Sequence, residues 1–110
     1  MSRRLCLALD LIDDDALIAE YEAWHAPSAV WPEITADIRS QGILDMEIWR
    51  TADRLVLIMT VAEDYPRARA PEPRESQWQA LMWKYQKPLP HAAPGEKWVE
   101  MKRIYVLGEQ

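Results

Sequence analysis

The sequence of 110 residues contains no phenylalanine, a single cysteine and only three glycines. Because Cys6 is the only thiol, the chain can form neither an internal disulfide nor a zinc site built on cysteines. The scattered glycines provide no phosphate-binding loop, and a serine-nucleophile elbow is also missing. These absences argue against kinases, nicotinamide dehydrogenases and hydrolases.

The sequence also lacks long apolar runs and an excess of basic charge. No segment approaches the roughly 20 apolar residues that span a bilayer, and the apolar stretch after Arg3 and Arg4 is too short for a secretory signal. The net charge is −5 with both signs interspersed, which offers nucleic acid and anionic lipid no broad attraction. We therefore expect a cytoplasmic protein with neither membrane nor nucleic acid as a partner. The densest basic stretch, which contains Arg67, Arg69 and Arg74, is expected to be a solvated loop.

The spacing of apolar residues predicts seven elements of secondary structure. They are a strand over about 3–11, helices over about 14–25 and 32–41, an antiparallel pair of strands over about 43–51 and 54–62, a helix over about 75–86 and a last strand over about 98–107. This order predicts one domain over residues 1–110 with a ferredoxin-like α+β fold, in which helices pack on one face of an antiparallel sheet.

The strand over about 54–62 is apolar on both faces. Leu55 and Leu57 point to one side, whereas Val56 and Ile58 point to the other. Since helices cover only one face of such a sheet, the second face would be an exposed apolar patch of the kind that marks a partner surface. We expect a homodimer with sheets packed face to face. A monomer whose sheet curls and whose loops cover the second face is the alternative.

His25 is the leading candidate for a catalytic residue. Its ordinary pKa near 6.5 lets it give and take a proton at neutral pH, and Tyr21 lies one helical turn earlier on the same side of the helix. A histidine at a helix C-terminus is also a common structural feature, because its charged form suits the helix dipole. The spacing alone leaves both interpretations open. The only other histidine, His91, has no metal-ligand spacing to His25, so we expect no metal and no cofactor.

Six tryptophans and four tyrosines stand in place of the missing phenylalanine. Their rings carry polar edges, and such rings can cover the C–H faces of a sugar while neighbouring groups bind its hydroxyls. Most of them could equally build a small core. As a set that includes Trp31 beside Pro32 and Trp83 beside Lys84, they indicate a pocket for a sugar.

Several segments of the chain resemble the L-rhamnose mutarotase family. That family carries Tyr-x-x-x-His on its first helix and Trp-Pro-Glu soon afterwards; the chain has YEAWH at 21–25 and WPE at 31–33. The late helix has WKY at 83–85 where the family has Trp-Trp-Lys-Tyr, and IYVL at 104–107 looks like the family's closing strand.

The resemblance implies a dimeric α/β barrel of two ferredoxin-like subunits that interconverts the α and β anomers of a 6-deoxy hexose. His25 corresponds to the family's proton donor, Tyr21 to its substrate-binding tyrosine and Trp83 to one of its paired tryptophans. We expect Trp31 and Trp83 to stack on the sugar.

Two positions of the pocket wall differ from the family. Met82 replaces the other paired tryptophan, and Met46 lies at or near the position of a substrate-contacting tyrosine on the second strand. Both are therefore expected in the substrate-binding site, where they affect the choice of sugar more than the reaction. L-rhamnose is the first expectation and L-fucose the second.

Two other functions remain open at this point. The same scaffold also serves cofactor-independent monooxygenases and haem-dependent enzymes, in which His25 would bind haem or act as a base on an aromatic substrate. A non-catalytic sugar-binding module is the second alternative. It would be stabilised by sugar without accelerating anomer exchange.

Overall fold

The computed structural model describes residues 1–110 and contains three helices and one antiparallel sheet. The elements are β1 (Arg3–Leu11), α1 (Asp15–Trp24), α2 (Pro32–Ser40), β2 (Ile43–Thr51), β3 (Arg54–Val61), α3 (Glu75–Trp83), β4 (Gln86–Lys87), β5 (Val99–Glu100) and a final 3₁₀ turn (Leu107–Glu109). None of the helices is long and apolar enough to cross a membrane.

Local sequence signals set the helix boundaries. The Asp14 side chain accepts a hydrogen bond from the Leu17 backbone N–H at 3.0 Å, so it caps α1 in the manner typical of an acidic N-cap residue. Pro32 occupies the first position of α2, where its missing N–H costs no helical hydrogen bond. The first two helices therefore begin and end within one or two residues of their predicted bounds.

The sheet has the strand order β2-β3-β1-β4, and all of its pairs are antiparallel. Strands β1 and β3 pair along nearly their whole length, with Leu7 opposite Leu57 and Leu9 opposite Leu55. A bulge at Leu44 shifts the register between β2 and β3 by one residue. This order, with two helices before β2 and one after β3, confirms the predicted ferredoxin-like α+β fold.

The prediction of one long closing strand over 98–107 was wrong. Two short strands share the place beside β1: β4 pairs near Leu11 and β5 near Ala8. The last backbone hydrogen bond from the closing segment to β1 joins the Met101 N–H to the Cys6 carbonyl at 2.7 Å. Beyond Met101, an alternating pattern forms no strand because no neighbouring strand in the subunit supplies partners. Gln86, predicted as the end of a helix, lies in β4 instead.

The core lies between the sheet and the helices, in two adjoining clusters. The larger cluster contains Leu11, Ile18, Tyr21, Ile34, Leu55, Trp78, Met82 and Tyr85, and the smaller contains Ile43, Leu57, Met59 and Val61. Alternate residues of β3 all enter this core, while the residues between them are only half-buried. The helices thus cover one face of the sheet, as predicted.

The other face of the sheet carries a partly exposed apolar patch, which comprises Cys6, Trp49, Val56 and Ile58. Trp49 lies opposite Val56, and Cys6 opposite Ile58, so these pairs share one face. Trp49 is 61% exposed, and the other three residues are half-buried. The two-faced apolar character of β3 expected from its sequence is therefore present in the structure.

Candidate active site

A cavity of about 610 Å³ lies between the helices and the covered face of the sheet. It brings together four of the six residues predicted for the site: Tyr21 and His25 from α1, Met46 from β2 and Met82 from α3. The volume is in the range typical of sites for small molecules. A further wall residue, Gln86 from β4, was not among the predicted ones.

His25 directly follows the last turn of α1. Its backbone N–H bonds to the Glu22 carbonyl at 3.0 Å instead of continuing the helical pattern to Tyr21. The Tyr21 carbonyl is instead 2.7 Å from His25 Nδ1. Because a carbonyl oxygen only accepts, Nδ1 carries the proton of this hydrogen bond, and the neutral ring keeps a lone pair on Nε2.

Burial determines the charge state of His25. It lowers the pKa of the imidazole below its ordinary value of 6.5, and the hydrogen bond to the Tyr21 carbonyl offsets this only in part. At pH 7 the ring is therefore mainly neutral, and Nε2 is able to accept a proton.

Tyr21 is 3% exposed, and its ring centroid lies 4.4 Å from that of His25. Burial raises the pKa of its phenol to about 12, although a hydrogen bond from the Gln86 amide to the phenol oxygen, at 3.2 Å, acts in the opposite direction. The phenol therefore keeps its proton across the physiological range. The cavity wall thus combines a neutral proton acceptor and a neutral proton donor on adjacent rings.

Different tryptophans line the cavity from those predicted. Trp78 and Trp98 are in the wall, and Trp31 and Trp83 are not. Trp78 and Met82 lie one turn apart on the buried side of α3, whereas Trp83 is rotated by about 100° from Met82.

Cationic side chains cover the rings of both predicted tryptophans. Trp31 packs behind Trp78 with the ring centroids 5.1 Å apart, and the Arg74 guanidinium lies 3.9 Å from the Trp31 ring centroid. Lys97 Nζ lies 4.5 Å from the Trp83 ring centroid. The geometry therefore favours Trp78 and Trp98, not Trp31 and Trp83, as stacking surfaces.

An ion pair between the buried Asp37 and Arg69, whose side chain is 33% exposed, forms part of the cavity wall. Arg69 Nε and Nη2 donate to the two carboxylate oxygens of Asp37 at 2.8 and 3.0 Å, and Gln41 adds a longer contact of 3.4 Å. The guanidinium holds the pKa of Asp37 below its ordinary value.

The stretch that contains Arg67 and Arg69 is an irregular loop with both residues exposed, as predicted, but Arg69 reaches from this loop to a buried carboxylate. Arg67 does pair at the surface, with Asp64. A signal for this pair was present in the sequence, since Asp37 lies beside Ile38 and three residues after Ile34 on α2. An acid at a core-facing position of a helix normally needs a partner of opposite charge or hydrogen-bond donors.

The structure contains no group of three or more His, Cys, Asp or Glu side chains that could hold a metal ion. The wall is mainly apolar, and its polar groups include the His25 imidazole, the Tyr21 phenol, the Gln86 amide and the Asp37–Arg69 pair. Further polar side chains in the wall are those of Thr35, Gln41, Tyr65, Glu75 and Gln79. Such a combination suits a small neutral molecule that carries both hydroxyl groups and C–H surface.

Comparison with solved structures supports the fold. The crystal structure of an L-rhamnose mutarotase from Formosa agariphila superposes with a TM-score of 0.69 at 15% identity, and the match covers 96% of this chain and 98% of that one. This likeness extends over the whole domain and agrees with the α+β architecture described above.

Comparison with sequences identifies the family. The family described as L-rhamnose mutarotase matches residues 4–107. An L-fucose mutarotase of Xanthomonas campestris pv. campestris is 56% identical over 112 residues, which cover 97% of this chain and 90% of that protein. A UPF0734 protein of Dictyostelium discoideum is 31% identical over 109 residues, covering 91% and 86%.

The fold and the family match together define a carbohydrate isomerase of the mutarotase class. The chain belongs to the L-rhamnose mutarotase family. This result supports the mutarotase interpretation over the monooxygenase and haem alternatives, which rested on the shared scaffold alone.

The Asp37–Arg69 pair should make stability depend on pH in a characteristic way. In the native protein its contribution is present at pH 7 and is lost as the pH falls through the lowered pKa of Asp37. In Arg69→Met, burial instead raises that pKa, so the charged carboxyl destabilises the fold at pH 7 and the penalty is relieved on acidification. The gap in melting temperature between native protein and variant should therefore be widest near neutral pH and shrink in acid.

Thermal unfolding followed by circular dichroism across that pH range measures the gap. Arg67→Met is the matched control, because its partner Asp64 is 64% exposed and loses little solvation in the pair. Equal pH profiles for the two variants would contradict the role of Arg69 as the partner of a buried carboxylate.

Proposed function

We propose that this protein interconverts the α and β anomers of a 6-deoxy hexose, with His25 as the central acid–base group. The observation that carries the proposal is the placement of a neutral His25 and a neutral Tyr21 side by side in the wall of one cavity. Mutarotation requires one group that accepts a proton and one that donates a proton at the same sugar carbon, and these two rings supply both.

Ring opening begins with the loss of the anomeric hydroxyl proton. His25 Nε2 accepts this proton while the C1–O5 bond breaks and a C1=O1 double bond forms. The departing O5 takes the proton of the Tyr21 phenol, which its raised pKa keeps in place until then. The open-chain aldehyde is the intermediate.

Ring closure reverses these transfers after rotation about the C1–C2 bond. O5 adds to the other face of C1 and returns its proton to Tyr21, while O1 recovers a proton from His25. Histidine is thus acceptor in one half of the cycle and donor in the other, and both side chains end unchanged. Such general acid–base groups contribute about 10²–10⁴-fold in rate.

The apolar wall suits the methyl group of a 6-deoxy sugar. Met46, Leu57 and Met82 line the cavity and offer only C–H and thioether surface. Among candidate sugars we propose L-fucose first, with L-rhamnose second, which reverses the order expected from the sequence. The relative of 56% identity is an L-fucose mutarotase, whereas the solved L-rhamnose mutarotase shares only 15%. A cytoplasmic location, as the sequence suggested, is part of this proposal.

Replacing His25 with alanine should reduce the catalysed rate of anomer exchange by about 10²–10⁴-fold, because no other group in the wall has an available imidazole lone pair. Saturation-transfer NMR on equilibrated L-fucose measures the rate directly, after subtraction of the spontaneous exchange. His91→Ala is the control, since His91 lies in an exposed loop outside the cavity and its variant should keep the native rate.

Two results would contradict the proposal. An unchanged rate in His25→Ala would remove His25 from the mechanism. A native protein that is stabilised by L-fucose in thermal unfolding but leaves the exchange rate unchanged would be a sugar-binding module.

We further propose that the protein is a homodimer through the uncovered face of the sheet. The patch of Cys6, Trp49, Val56 and Ile58 supports this proposal, since a monomer rarely leaves such a surface to solvent. The closing segment adds a second apolar surface, because Ile104 and Tyr105 are 88% and 63% exposed where the chain leaves β1.

Trp49→Glu should shift the assembly from dimer towards monomer, because the new carboxylate would be buried without a partner in the interface. Sedimentation velocity should give about twice the chain mass of 12.8 kDa for the native protein and a lower value for the variant. Arg39→Glu, an exposed change on α2, is the control and should remain dimeric. A native protein that sediments as a monomer would refute the dimer.

A further inference from the structure

We propose that Gln86 determines which sugars the cavity accepts, by accepting a hydrogen bond from one ring hydroxyl and by directing the Tyr21 proton towards the substrate. The inference depends on the proposed mutarotase function and concerns the same cavity. Neither the sequence pattern nor the family resemblance assigned a role to this residue.

The pairing of β4 with β1 holds the backbone of Gln86 at the cavity wall. This residue lies in β4, where it pairs with Leu11 at the end of β1, and it is only 5% exposed. Its side chain shares the cavity with Tyr21 and Met82. The adjacent Lys87 is exposed, so the two residues of this short strand have opposite environments.

The amide of Gln86 is only half satisfied. Its Nε2 donates to the Tyr21 phenol oxygen at 3.2 Å, but Oε1 has no hydrogen-bond partner. It is the only buried side-chain polar atom in the protein in this condition. Because a buried acceptor without a donor is costly and rare, this atom points to a ligand that supplies the donor.

A sugar hydroxyl is a donor that fits this position. Oε1 is buried within the wall, so a sugar hydroxyl cannot reach it in the unligated conformation. Rotation of the Gln86 amide group about its terminal torsion, which has a broad energy minimum in glutamine, would bring Oε1 to the hydroxyl. A small rotation keeps Nε2 near Tyr21. The bound sugar would then satisfy the amide on both sides.

The same amide determines where the Tyr21 proton goes. Since Gln86 donates to the phenol oxygen, that oxygen acts as acceptor and its own proton is directed elsewhere. Tyr85, the neighbouring tyrosine, differs: its hydroxyl accepts from Trp24 Nε1 at 3.1 Å and donates to Glu20 at 3.4 Å. Of these two phenols, only the one beside Gln86 retains a free proton for a substrate oxygen.

The amide also assists the phenol during the reaction. When Tyr21 transfers its proton to the sugar, a negative charge develops on the phenol oxygen. The Gln86 N–H already points at this atom and stabilises the charge, in the manner of a preorganised donor. Gln86 is therefore a positioning residue for Tyr21 as well as a binding residue for the sugar.

A substrate–variant cycle tests the inference. Native protein and Gln86→Met are assayed by NMR anomer exchange with L-fucose and with its 2-, 3- and 4-deoxy analogues. Removal of the hydroxyl that Gln86 accepts should lower kcat/KM by about tenfold in the native protein and have little effect in Gln86→Met. Gln86→Met itself should lose at least tenfold on L-fucose.

Gln86→Glu separates the two roles and preserves the side-chain shape. The carboxylate keeps an acceptor for the sugar, so the penalty for the deoxy analogue should remain. The carboxylate cannot donate to the Tyr21 phenol as the amide does, and it accepts the phenol proton instead. Because that proton is then no longer directed at the sugar, kcat should fall. Lys87→Met on the same strand is the control and should match the native protein.

The outcomes distinguish this inference from the proposed function. Equal kcat/KM for Gln86→Met and native protein on L-fucose, or the same analogue penalties in both, would overturn the role of Gln86 while leaving the mutarotase proposal intact. A native protein without catalysed exchange would refute both. Circular dichroism shows whether each variant is folded. If Gln86→Met does not fold, Gln86→Glu tests the role of Gln86 instead.

Discussion

The hydrogen bond between His25 Nδ1 and the Tyr21 carbonyl is the contact on which the proposed chemistry depends. It exists because α1 ends at this point. The His25 backbone N–H donates to the Glu22 carbonyl, and the Tyr21 carbonyl accepts a hydrogen bond from the imidazole instead. This hydrogen bond holds the imidazole ring, selects its tautomer and leaves the lone pair of Nε2 for the proposed proton transfer. Pro27, two residues later, prevents the helix from continuing.

Burial keeps the rings of His25 and Tyr21 in their neutral forms. It lowers the pKa of His25 and raises that of Tyr21 to about 12, because a charged form of either ring is poorly solvated in the cavity. In the proposed mechanism, a neutral sugar therefore meets a neutral acceptor and a neutral donor. Charge would then form only during proton transfer, when the Gln86 amide stabilises the negative charge on the Tyr21 oxygen.

Local patterns predicted most of the fold, because periodicity, caps and prolines act within a few residues. The helices, the hairpin, the order of elements along the chain and the positions of Tyr21, His25, Met46 and Met82 at one cavity all followed from such patterns or from the family resemblance. The remaining features depend on contacts between distant segments. Arg69 pairs with Asp37 from another element, and Gln86 reaches the cavity only because β4 lies beside β1.

The tryptophans also show that sequence patterns do not determine contacts between distant segments. Sequence identifies residues capable of stacking on a sugar, but only the rotation of α3 decides that Trp78 faces the cavity and Trp83 faces Lys97. The prediction of a long closing strand was wrong for a related reason. A strand requires a neighbouring strand for its backbone hydrogen bonds, and the segment after Met101 has none within the subunit.

The pH dependence of anomer exchange in the native protein tests the central claim most directly. If neutral His25 is the proton acceptor, the catalysed rate on L-fucose should be constant above about pH 7 and should fall as the pH drops through a value below the ordinary 6.5 of histidine. A rate that increases on acidification through that range would show that the charged imidazole is the active form, and would contradict this account.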